Sequence, residues 1–234
     1  MKLSFGIALG ALALLAQGAA AQGACDDLKS FFAKPPKIGE WAELTSEAKN
    51  GKEPQVTRVA FVGKEQRNGR DLYRIQMTMN VKGERQIMQS LTPWDISALS
   101  PGQDYDNEIV VKQGDNPAMS MPVKADQKRN AVAELQKNCA KVKYVGEETV
   151  AVPAGSFKAR HYADEDGDSW FSPDAPGYRL VKMVTKDGKT ISLTAVGTGA
   201  KNEITEKPMD MKAMMSNPEA MKKMMEGQKG ESNK

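Results

Sequence analysis

Two periodicities divide the chain. From Trp41 onward apolar and polar positions alternate at period two, through Val56–Glu65, Arg70–Val81 ("RDLYRIQMTMNV"), "VKGERQIMQSL" and Asn107–Gly114. Such alternation places successive side chains on opposite faces of a strand. The first two runs are separated by "QRNG" and the next pair by Lys82-Gly83, which predicts hairpins in an antiparallel meander. The period changes over Lys124–Ala140 ("KADQKRNAVAELQKNCA"), where Ala131, Val132, Leu135 and Cys139 recur on one helical face. Strands then resume in "KVKYVGEETVAV", "GSFKARHYA", "DSWFS", "YRLVKMVTK" and "TISLTAVG". Pro153-Ala154-Gly155, Asp166-Gly167, Pro176-Gly177 and Asp187-Gly188 punctuate them, the last as a two-residue turn. A short helix is predicted over Asp26–Ala33 and stopped by Pro35-Pro36. The class that follows is α+β. It is a curved antiparallel sheet packed around the central helix, with short C-terminal helices.

A faint internal echo accompanies the strands. Phe61-Val62-Gly63-Lys64-Glu65 and Tyr144-Val145-Gly146-Glu147-Glu148 share an aromatic-Val-Gly-x-Glu pattern, each leading through a turn into a strand. It reads equally as a duplicated strand-turn-strand unit or as a common strand ending.

The chain's ends set the compartment. Lys2 followed by the apolar run Leu3–Ala16 and by Ala19-Ala20-Ala21 reads as a signal peptide over 1–21, cleaved before Gln22. Gln22 stands where a lipoprotein signal needs an aliphatic residue before Cys25. No later apolar run approaches the twenty or so residues of a membrane span. The expected mature protein is periplasmic or secreted, with one β domain over 22–200 and a tail over 201–234. A net charge of +3 without a dense basic stripe gives no reason to expect nucleic acid. The two cysteines, Cys25 and Cys139, are expected to form a disulfide in an oxidising compartment. A reactive or metal-binding thiol pair is disfavoured, because there is no CxxC spacing and no neighbouring histidine.

Catalytic chemistry finds little footing. The single histidine, His161, lies mid-strand, and nearby Ser156 has no nucleophile-elbow context. "DEDGD" (Asp164–Asp168) places glycine fourth, not sixth as an EF-hand loop requires, and reads as a turn. Glu147-Glu148 shows no sign of a matched acid/base pair, and there is no glycine-rich phosphate loop. The reading is a non-enzyme without a cofactor.

The methionines are the conspicuous chemistry. Of 14 in the chain, half lie in "MDMKAMMSNPEAMKKMM". "MKAMM" and "MKKMM" repeat at ten residues, with Asn217-Pro218 as an N-cap and first-turn signal between them. Two short helices are predicted, about Pro208–Met215 and Pro218–Glu226, before a polar end. Met211, Met214 and Met215 share one face, as do Met221, Met224 and Met225. Three readings stay open for these six: an amphipathic segment that packs on the domain, a membrane or a ligand; a mobile tail; or a copper(I) site of soft thioethers.

One stretch carries a family resemblance. "VGEETVAVPAGSFKARHY" and "WFSPDAPGYRLVKM", between Val145 and Met183, resemble a pattern in exported bacterial proteins that include uncharacterised and TapB-like members. Their fold is similar to that of the lipoprotein carrier and lipid-binding proteins LolA and LppX. "GEW" at Gly39–Trp41 and "VGKE" at Val62–Glu65 suit the first half of such a domain. The motif itself is structural: a Pro153–Gly155 turn delivers Phe157 to the core, and Trp170 and Phe171 point to opposite faces, so one of them is expected to be buried. The resemblance implies an unclosed half-barrel around a hydrophobic cavity, closed by helices. The expected function is therefore an exported, non-catalytic protein that binds a hydrophobic or lipid-like ligand or a cell-envelope protein partner. Copper(I) binding by the tail, or a structural envelope role without a small ligand, are the alternatives.

Overall fold

A computed structural model describes residues 23, 24, 26, 27, 30, 31, 33–47, 53–94, 108–121, 137–139 and 141–210. Twelve strands make one sheet: β1 (Trp41–Glu47), β2 (Gln55–Arg67), β3 (Arg70–Val81), β4 (Glu84–Pro93), β5 (Glu108–Gln113), β6 (Met119–Met121), β7 (Lys143–Val152), β8 (Gly155–Asp164), β9 (Gly167–Phe171), β10 (Leu180–Thr185), β11 (Thr190–Gly197) and β12 (Met209–Asp210). Their order is β12-β6-β5-β4-β3-β2-β1-β11-β10-β9-β8-β7. Every described pairing is antiparallel except β12 with β6.

The predicted α+β class is corrected to a nearly all-β one. Of the expected helix over Lys124–Ala140, residues 124–136 and 140 lie outside the described set, and only Lys137–Cys139 is seen, in helical conformation. Among the described residues no central helix packs on the sheet. One face is covered by an extended strap instead, residues 198–208, which leads from β11 across to β12. The reason lies in the strand chemistry. Gln76 and Gln89 face one another across β3 and β4 and are 2% and 1% exposed. Buried amides need partners. The strap supplies them. Gln76 Nε2 donates to Glu203 Oε1 (2.6 Å), Gln89 Nε2 donates to Asn202 Oδ1 (2.5 Å), and Glu203 N–H donates to Gln76 Oε1 (3.1 Å). Ile204 completes the cover in a cluster with Ile87, Val110 and Ala118. Met209–Asp210 is consequently strand, where a helix from Pro208 was expected.

The internal echo marks a shared irregularity. The register of β2 on β3 shifts between Phe61 and Gly63, and that of β7 on β8 between Tyr144 and Gly146. Val62 and Val145 are thus the extra residues of two β-bulges, each one position before a glycine. At the β7 end the sheet coils back on itself. The β7–β8 turn reaches β11, with Ala154 N–H donating to Leu193 O (3.2 Å). Val150, Ala159, Val181 and Leu193 bury together there, with Phe157 and Trp170 packed against them. Trp170 and Phe171 are both only half-buried, so neither is the fully buried partner expected of the pair.

The N-terminal segment docks on β8. Residues 23, 24, 26, 27, 30 and 31 are helical. Phe31 packs on Val142 and Tyr162, while Asp27 pairs with Arg160 and accepts the Tyr162 hydroxyl. Burial and the adjacent Asp27 carboxylate push the Tyr162 phenol well above its ordinary range, so it remains a donor.

Candidate functional site

Strand registers assemble a continuous apolar row on the sheet face opposite the strap. Val196, Ala42, Val59, Met77, Met88, Val111, Met119 and Met209 lie side by side across β11, β1, β2, β3, β4, β5, β6 and β12. At about 4.8 Å per strand the row is about 34 Å long. A second row beside it runs Phe61, Ile75, Ser90, Ile109 and Met121. Val59, Phe61 and Ile75 are fully buried, whereas Met77, Met88, Met119 and Met121 are only half-buried. Neighbouring thioethers on one face make a soft, adaptable apolar surface.

An aromatic group closes one side of this face. Phe61 meets Trp94 edge-on at 5.4 Å and Tyr178 at 6.0 Å, and Trp94 stacks on Tyr178 at 6.0 Å. Tyr178 comes from the loop between β9 and β10, whose Gly177 lies close enough for a Cβ to meet the Phe61 ring at 3.6 Å. Burial raises the Tyr178 phenol above its usual range, which keeps it neutral. Thr92, paired with Tyr73 on the same face and 7% exposed, has a buried hydroxyl without a hydrogen-bond partner among the described residues. An orphaned polar atom beside aromatic rings is a cost that a bound polar group or water removes.

The residues weighed from sequence fall elsewhere. Met211, Met214, Met215, Met221, Met224 and Met225 lie outside the described residues, as do Cys25 and the predicted signal segment 1–21. Met209, the last methionine before them, ends the apolar row. His161 Nε2 lies 2.7 Å from Asp168 Oδ1 and its ring stacks on Trp170 at 4.3 Å. Ser156 is five positions along the same strand and opposite Ala151, so no nucleophile–base pair forms. Asp164 Oδ1 accepts the Asp166 and Gly167 N–H groups at 2.8 and 3.1 Å, a turn cap in place of a calcium loop. Glu147 is held by Lys158, which depresses its carboxyl below the usual range, and Glu148 accepts the Trp170 indole N–H at 2.6 Å. Among the described residues no His, Cys, Asp and Glu cluster with metal-binding spacing occurs.

Met77, Met88 and Met119 do not stand out as site residues in the sequence alone. Their signal was present: in "RIQMTMNV" and "IMQS" the methionines fall on one parity of the strand. What it lacked was the register that aligns those parities across strands.

No family model and no curated protein matches. Solved structures do. An inferred exported protein with a YmcC-like fold from Bacteroides fragilis is 13% identical, over 70% of this chain and 98% of its own, at a TM-score of 0.32. An inferred lipoprotein from Parabacteroides distasonis is 12% identical over 70% and 97%, also at 0.32. MucB in complex with MucA(peri) is 12% identical over 80% of this chain and 59% of its own, at 0.36. Likeness at these values transfers neither ligand nor partner. The LolA/LppX-like and TapB-like resemblance rests on the sequence motifs, chiefly that of Val145–Met183.

Proposed function

We propose that the protein is an exported, non-catalytic binding protein whose methionine face takes a hydrophobic, lipid-like ligand. The observation that carries this reading is the apolar row from Val196 to Met209, whose four methionines are half-buried, bordered by the Phe61–Trp94–Tyr178 aromatic group. Apolar contact supplies about 25 cal/mol per Å² removed from water, so a single acyl chain along such a row is held without ion pairs. The Thr92 hydroxyl, buried on the same face and unpartnered among the described residues, is a polar group that a ligand head would have to reach into the face to engage. The test is saturable binding of a fluorescent fatty acid to delipidated protein. A structural envelope role is what an absence of binding would leave. No helix among the described residues is long and apolar enough to cross a membrane.

Copper(I) binding is the second reading, and one observation extends it from the tail motif to the sheet. Met77 and Met88 are direct cross-strand partners, with Met119 two strands further along the row. Copper(I) titration with Met→Leu variants separates the readings, because leucine keeps the apolar face and removes the sulfur.

The Cys25–Cys139 disulfide belongs to the same proposal. Ala24 and Phe31 are buried, and Phe31 packs on Val142, three residues beyond the buried Cys139. That docking brings the two cysteine-bearing segments together, and no free cysteine occurs among the described residues.

A further inference from the structure

Strand β7 ends the sheet of described strands. Among the described residues, Lys143–Thr149 has β8 on one side and no backbone partner on the other. All of these residues are exposed except Gly146, and Val145, at 56%, is the most exposed large apolar residue among those described. An unpaired edge of this kind is a template for a further strand.

Beside that edge a ladder of flat groups stops one place short. Lys182, Trp170, His161 and Gly146 occupy one cross-strand row on β10, β9, β8 and β7. Lys182 Nζ lies 5.3 Å from the Trp170 ring centre, and His161 stacks on that ring with planes 17° apart. At Gly146 the ladder has no side chain, and a Cβ placed there would meet nothing within 4 Å. The slot is acidic. Asp168 holds His161 Nε2, while Glu148 Oε1 lies 3.6 Å from His161 Nδ1 and accepts the Trp170 N–H. Glu148 Oε2 has no partner among the described residues, and the side chain is 54% exposed.

We infer that the β7 edge binds an extended segment of a partner protein, and that the slot over Gly146 receives an arginine of that segment. The guanidinium lies flat on the open side of His161 and donates to Glu148 Oε2. Arginine suits the slot better than lysine, because a planar cation both stacks and donates in its own plane. Backbone bonds along Lys143–Thr149 supply affinity, and the slot supplies selection. This site is separate from the methionine face and does not depend on the ligand proposed there.

The experiment uses fluorescein-labelled Thr-Val-Thr-Val-Arg-Val-Thr-Val-Thr with the full chain, followed by anisotropy and amide exchange. The arginine peptide binds saturably and protects amides of β7. Replacing its arginine by glutamate weakens binding at least about tenfold, N-methylation of alternate amides abolishes it, and lysine falls between. Gly146→Val fills the slot and Glu148→Gln removes its charge; each weakens the arginine peptide about tenfold, while circular dichroism shows an unchanged fold. The inference is overturned by absence of saturable binding, by indifference to Gly146→Val and Glu148→Gln, by binding that survives N-methylation, or by self-association of the chain through β7.

Discussion

At the scale of single residues, steric and packing constraints make the sharpest predictions. Leu193 is fully buried where β11, β10 and the β7–β8 turn converge. Leu193→Ala is expected to lower stability by about 2–5 kcal/mol in urea unfolding, the range for emptied core leucine sites. Gly167 has φ of 143°, and a Cβ there would lie 2.1 Å from Val184 O. Gly167→Ala should therefore cost more than about 1 kcal/mol, whereas a Cβ at Gly146, in open space, should cost little. Such contrasts were partly legible beforehand. Asn68-Gly69 and Lys82-Gly83 announced their turns, and all four residues take positive φ. The bulges at Val62 and Val145 showed only as a faint repeat, because a bulge is defined by the neighbouring strand. His161 looked isolated in sequence, since its partners Trp170 and Asp168 reach it through the β8–β9 hairpin register.

At the scale of elements, the strap decides how one sheet face is sealed. Arg85 beside Glu203, with Nη1 2.5 Å from Oε2, holds that carboxyl below the ordinary glutamate range. A depressed folded value means stabilisation that is complete above the unfolded glutamate pKa of about 4.3 and is lost as pH falls through the folded value. Stability should thus decline on acidification below about pH 4, and Glu203→Gln should flatten that part of the profile. Thermal unfolding of both proteins across pH 2–6 checks it; identical slopes would mean that Glu203 contributes nothing to the acid dependence. The second elemental prediction concerns the cysteines. Intact protein should show no alkylation before reduction and two alkylated thiols after it, with a lower unfolding midpoint in reductant. The strands themselves were readable because period two survives in most of them. Arg70–Val81 was bounded as it occurs. The strap was not readable, since its apolar content is little more than Ile204, and its function is to satisfy Gln76 and Gln89. Two glutamines spaced thirteen residues apart carry no sequence sign that they meet.

At the scale of the whole molecule, the sheet has two unlike faces and two unlike ends. The strap face is sealed by amide hydrogen bonds and a small aliphatic cluster. The opposite face gathers methionines from β3, β4, β6 and β12 into one row with β-branched neighbours. Period two predicted that such faces exist, but only the strand order brings Met209 from the far end of the chain beside Met119. The most direct measurement is binding of a fluorescent fatty acid to delipidated protein, compared with Met88→Leu and Met88→Lys. Met88→Leu conserves volume and should fold and bind as the parent does. Met88→Lys places a charge in the middle of the row and should weaken binding at least about tenfold. Saturable binding with that order of variants is the result predicted. No saturable binding by the parent, or equal binding by Met88→Lys, would contradict the methionine face as the site.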